Sequence, residues 1–128
     1  MRALVIAGCA AILSCSDVDL CEIDLDRELN NRIGTELDLH EITNFDWSEV
    51  RLYGEYESSE LIRAETGLRY EPWPWGSHVP EGQGFVAFLR EGKGVCGAHY
   101  NLLRACLTRA GGDRSSRFSI TSHCELPK

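Results

Sequence analysis

The residues that could do chemistry are few, and their spacing is loose. Cys96-Gly-Ala-His99 and His123-Cys124 together offer two thiolates and two imidazoles. Zinc takes such a set in tetrahedral geometry. The spacing argues against it, because residues i and i+3 of a strand point to opposite faces, as do adjacent residues. No metal and no cofactor is therefore expected. His40 and His78 stand apart from this set, and no HExxH, P-loop, GxSxG or GxGxxG pattern occurs. A serine or cysteine nucleophile needs an oriented base, and no pairing in the chain singles one out. The 20 acidic residues fall on turns and on polar helix positions, where solvation is their usual role. No catalytic residue is assigned, and an enzyme is not expected.

Two features point to binding instead. Tyr70, Trp73 and Trp75 alternate with Pro72 and Pro74. Prolines stiffen the backbone, so the rings are presented at low entropic cost, as binding anchors are. The competing reading has the same rings covering a small core. The second feature is charge. Residues 16–71 carry sixteen acids and five bases, whereas residues 72–128 carry four acids and seven bases. Arg104, Arg109, Arg114 and Arg117 fall close together against the single acid Asp113. They form a candidate surface for an anionic partner, unless they pair with the chain's own acidic half. The net charge of −7 disfavours nucleic acid, since phosphate contacts need positive surface.

These features must be positioned by a chain of 128 residues, one domain in length. Its first residues read as an address. Arg2 precedes the uncharged, mostly apolar run Ala3 to Leu13, which is the length of a secretory core and too short for a span. Ile12-Leu13-Ser14-Cys15 resembles the lipobox of bacterial lipoproteins, which implies a signal over 1–14 and lipidation at Cys15. Ile6-Ala7-Gly8-Cys9 is the alternative, but it leaves a shorter apolar core. Ser16 after Cys15, in place of aspartate, implies the outer membrane by resemblance to sorted lipoproteins. The expected partners are thus a membrane, through the lipid, and a protein of the envelope. Residues 15–22 read as an acidic lipidated tether and 23–128 as one domain. Export leaves Cys21, Cys96, Cys106 and Cys124, and an oxidising compartment predicts two disulfides. Three connectivities are open. A hairpin between the strands around Cys96 and Cys124 would favour joining those two, leaving Cys21 with Cys106.

The element pattern predicts α+β, with helices packed on one face of a mainly antiparallel sheet of about four strands. Ile23, Leu25, Leu29, Ile33 and Leu37 recur mostly every four residues and predict helix, with a break near Gly34. Asp38 is the expected cap of a second short helix, Leu39 to Asn44. Val50 and Leu52 alternate as a half-buried strand. Ser58 or Ser59 caps a helix that Gly67 ends. The continuous run Phe85 to Arg90 reads as a central strand, Glu91 to Gly94 as a turn, and Val95 to Leu103 as a strand paired with Phe118 to Cys124.

Phe45-Asp46-Trp47, then Val50 to Tyr56, and Phe85 to Leu89 followed by Gly92-Lys93-Gly94-Val95 carry a resemblance. They are similar to a group of small exported bacterial proteins of uncharacterised function. The likeness covers about residues 38–100, and it departs at the inserted Gly94 and in the Cys/Arg-rich segment that follows. It implies export and an α+β fold, and it carries over no catalytic residue.

Overall fold

A computed structural model describes residues 17–72, 76–112, 114–122 and 124. In chain order its elements are β1 (Asp17–Val18), α1 (Leu25–Asn30), β2 (Glu36–Asp38), β3 (Glu49–Tyr53), α2 (Ser59–Thr66), β4 (Tyr70–Glu71), β5 (Gln83–Arg90), β6 (Lys93–Asn101), β7 (Cys106–Arg109) and β8 (Arg117–Thr121). The apolar run in β5 organises them. Phe85 to Leu89 are each fully buried. Val86 and Phe88 enter one apolar cluster with Leu25, Leu29, Trp47 and Phe118, while Phe85, Ala87 and Leu89 enter another with Ile62, Tyr70 and Val79. A strand covered on both faces needs no polar alternation, which is why this segment reads as uninterrupted hydrophobics.

Among the described residues, two three-stranded sheets, ordered β3-β5-β6 and β2-β8-β7, and the two-stranded ribbon β1-β4 make up the β structure, and these strands all pair antiparallel. The sheets share the larger cluster, to which β8 gives Phe118 and Ile120 and β2 gives Leu37. The β5–β6 hairpin turns on Glu91 and Gly92, both with positive φ, the geometry of a tight two-residue connection. The extra residue in this region is absorbed inside β6. Leu89 faces Gly94 while Phe88 faces Cys96, so Val95 is a bulge.

The expectation of helices packed on one face of a single sheet is overturned. The fold is mostly β, and its longest helix among the described residues is α2, with eight residues. The four-residue apolar spacing misled because it drifts around a helix and also fits a helix followed by a strand. Leu25 and Leu29 are buried by α1, which Asp24 caps through the Arg27 N–H. Beyond Gly34 (φ +87) the chain becomes extended, and Leu37 is buried from β2. Asp38 does act as a cap, accepting from the His40 N–H, but of a single 3₁₀ turn at Leu39–Glu41. Ser58 and Gly67 bound α2 as their types predict.

Among the described residues, disulfides join Cys21 to Cys96 and Cys106 to Cys124. The favoured pairing of Cys96 with Cys124, and with it Cys21 to Cys106, is therefore corrected. It assumed that β6 pairs with the last strand. Instead β6 folds back on β5, and β8 lies between β2 and β7. Residues 17–21, within the segment read as a tether, are laid against the domain. Leu20 bridges Gly97 in parallel fashion, and the Cys21 N–H donates to the Gly97 carbonyl at 2.8 Å.

Candidate functional site

Tyr56 is the side chain that a folding argument explains least. It is 56% exposed, and its backbone sits at φ +71, a region that non-glycine residues seldom adopt. The strain is held by neighbours. The Tyr56 N–H donates to the Val79 carbonyl at 2.8 Å, the Val79 N–H to Glu57 at 2.9 Å, and the Ser59 N–H to Ser77 at 2.8 Å. The turn after β3 is thus laced to residues 77–79. The ring meets His78 edge-on at 5.8 Å. Hydrogen bonding to Glu81 raises its phenol pKa above the ordinary value.

Beside Tyr56 lies an open groove of about 610 Å³, lined mainly by Leu52, Tyr53, Tyr56, Tyr100 and Leu102. Its floor depends on a glycine. Tyr100 lies opposite Gly84, and a Cβ at Gly84 would stand 2.7 Å from the Tyr100 ring. With no side chain there, the ring lies against the β5 backbone. Three connections hold the groove's margins together. Glu55 accepts from the Gly82 N–H at 2.7 Å, the Leu102 N–H donates to Gly82 at 2.9 Å, and the Cys124 N–H donates to Leu102 at 3.1 Å. The Cys106–Cys124 bridge fixes the last of these to β7.

A smaller recess of about 300 Å³ adjoins the groove at Tyr100 and is lined by Asp26, Glu81, Gln83, His99 and Leu103, among others. Asp26 accepts from the Asn101 N–H at 2.7 Å. His99 Nε2 lies 2.6 Å from the Tyr70 hydroxyl. Burial lowers the His99 pKa to about 4, against a smaller opposing effect of Asp26, so the imidazole is neutral near pH 7. Burial alone pushes Tyr100 up to about 12 and Tyr70 further still.

The residues singled out in the sequence are not brought to one place. Tyr70 is fully buried and spends its hydroxyl on His99, so it is a core residue and not an exposed anchor. Arg109 donates to the Ser115 and Val50 carbonyls at 2.6 and 3.1 Å and lies over the Phe118 ring, which ties β7 to β3. Arg117 pairs with Glu36 at 3.2 Å. Arg104 and Arg114 are exposed and carry no ion pair among the described residues. Cys96 and Cys124, the thiolates of the zinc alternative, are each bonded to another cysteine. Cys15, Trp73, Trp75 and His123 lie outside the described residues.

The groove itself escaped the sequence reading. It is assembled from residues 52–56, 100, 102 and 124, and its recess from 26, 81–83, 99–101 and 103, which share no motif. Nothing in the letters Gly54-Glu55-Tyr56 marks the tyrosine as the residue with positive φ. Chemically, the site offers an apolar floor, three tyrosine rings and fixed carboxylates, an arrangement suited to holding a ligand. No family model, curated protein or solved structure matches the chain.

Proposed function

We propose that this chain is an exported bacterial lipoprotein, anchored through Cys15 in the outer membrane and facing the periplasm, whose domain binds a partner in the envelope at the Tyr56 groove. Its work is non-catalytic and needs no cofactor or nucleic acid. The observation that carries the binding reading is Tyr56: a large aromatic side chain left in solvent beside an apolar groove, on a backbone whose conformation costs about 1–3 kcal/mol. Its ring touches His78 and its hydroxyl Glu81, but most of its surface stays in water. Two disulfides suit an oxidising compartment, in keeping with the signal-like N-terminus.

The two halves of the proposal are tested separately. Metabolic labelling with a radioactive fatty acid should mark the protein, and Cys15→Ser should lose the label and leave the membrane fraction. Unchanged labelling of Cys15→Ser would refute that anchor, and a soluble, unlabelled wild type would favour ordinary secretion. For the groove, a photoreactive amino acid at position 56 in cells should give a discrete protein adduct that the same group at Lys93 does not. Identical adducts from both positions, or none from either, would overturn the assignment.

A further inference from the structure

We propose that the groove takes an extended segment of a partner protein in which basic side chains flank an apolar one. This rests on the groove being the binding surface, as proposed above, and it adds the chemistry of the occupant.

The charge around the site is of one sign. Several carboxylates elsewhere find cations: Asp19 with Arg69, Glu28 with Arg32, Asp46 with Arg90, and Glu71 with Arg63. Among the described residues, Asp26, Glu55 and Glu81 make no such pair, and no lysine or arginine among them lines the groove or the recess. His99 is neutral near pH 7 and supplies no positive charge. Two of these carboxylates are aimed by the backbone, Glu55 by the Gly82 N–H and Asp26 by the Asn101 N–H, each at 2.7 Å. A carboxylate accepts several hydrogen bonds, so each keeps capacity for a ligand. Groups already fixed in place lose little freedom on binding.

The floor sets the other requirement. Leu52, Tyr100 and Leu102 offer apolar surface, and Tyr56 forms a wall. An apolar side chain on that floor is removed from water, while ammonium or guanidinium groups flanking it reach Glu55 in the groove and Glu81 and Asp26 in the recess. The groove and the recess meet at Tyr100, so the occupant is elongated. An anionic ligand would meet three uncompensated carboxylates, and a neutral one would leave them unused.

The test uses the purified protein with its disulfides intact and three fluorescein-labelled nine-residue peptides. One alternates Lys with Leu, one Lys with Ser and one Glu with Leu. Binding is read by fluorescence anisotropy at low and moderate salt. The Lys/Leu peptide should bind at least about tenfold more tightly than the other two, and more weakly at higher salt. Tyr56→Ala and the pair Glu55→Gln with Glu81→Gln should each weaken it about tenfold, and the second should flatten the salt dependence. The charge-matched pair Glu60→Gln with Glu91→Gln, away from the groove, should leave it unchanged. Circular dichroism checks that each variant folds. Equal binding of Lys/Leu and Lys/Ser, salt-independent binding, or equal losses from the rim and control pairs would overturn the proposal. A position-56 adduct in cells with no Lys/Leu binding would sink this chemistry while leaving the groove's function standing. Loss of both would sink the function itself.

Discussion

His99 shows how one buried side chain sets a condition on the whole fold. Its Nε2 is committed to the Tyr70 hydroxyl, and burial holds its pKa down at about 4. In the unfolded chain a histidine titrates near 6.5. The folded state therefore favours the neutral form. Its contribution is complete above about pH 6.5 and is lost as pH falls through about 4. The loss amounts to about 3 kcal/mol at 1.36 kcal/mol per pH unit. Asp19 and Asp38 have carboxyls held below their usual range, the first by hydrogen bonding to the Arg69 side chain and the second by the His40 N–H, so their contributions fade at lower pH. Urea denaturation at several pH values separates the effects. His99→Gln can still hydrogen-bond to Tyr70, and it should flatten the unfolding free energy between pH 6.5 and 4 while leaving the decline below pH 4. An unaltered slope in that variant would show that His99 is not the group responsible.

The β5–β6 hairpin is the element on which both cores depend, and a glycine makes it possible. A Cβ at Gly97 would fall 2.1 Å from Cζ of the fully buried Phe85 ring. The same glycine accepts from the Cys21 N–H and donates to the Asp19 carbonyl. Gly97→Ala should cost about 1–3 kcal/mol, the usual penalty of an overfilled core. Phe85→Leu in the same chain should recover part of that loss. A double-mutant cycle with no coupling would remove the ring as the cause. This hairpin is also where the sequence is most readable. Its core-facing strand is an apolar run, its turn is Glu91-Gly92, and the caps Asp38 and Ser58 announce themselves by residue type. The rest depends on distant partners. β1, β4 and β7 have two to four residues each, too few to show a period, and they exist because other segments pair with them. Leu37 is on a strand although its spacing from Leu29 suits a helix, since the choice is made by pairing with Phe118. The candidate groove was hidden for the same reason, being a meeting of segments far apart in the chain.

At the scale of the molecule, the proposed anchor lies close in sequence to the first described strand. β1 begins at Asp17, so only Ser16 separates it from a lipidated Cys15. One residue spans at most about 3.6 Å. The segment after it is held firmly. Asp17 pairs with Glu71, the Asp19 carboxylate grips the Arg69 guanidinium at 2.7 Å, and Cys21 is bridged to Cys96. That bridge closes a loop with a sequence separation of 75, which corresponds to about 4–5 kcal/mol in the chain-entropy model. Under the proposed lipidation, the domain would stand on the bilayer with the β1–β4 ribbon and the neighbouring side of α2 near the headgroups. A donor dye at Glu60, an exposed position whose recess includes Arg63 and Glu71, should transfer energy efficiently to acceptor-labelled lipid. Inserting twelve Gly/Ser residues between Ser16 and Asp17 adds a coil with a root-mean-square length of about 20 Å, and transfer should fall accordingly. Equal transfer with and without the insertion would mean that the domain is already free of the surface. The short, stiff attachment would then have no consequence for how the groove is presented.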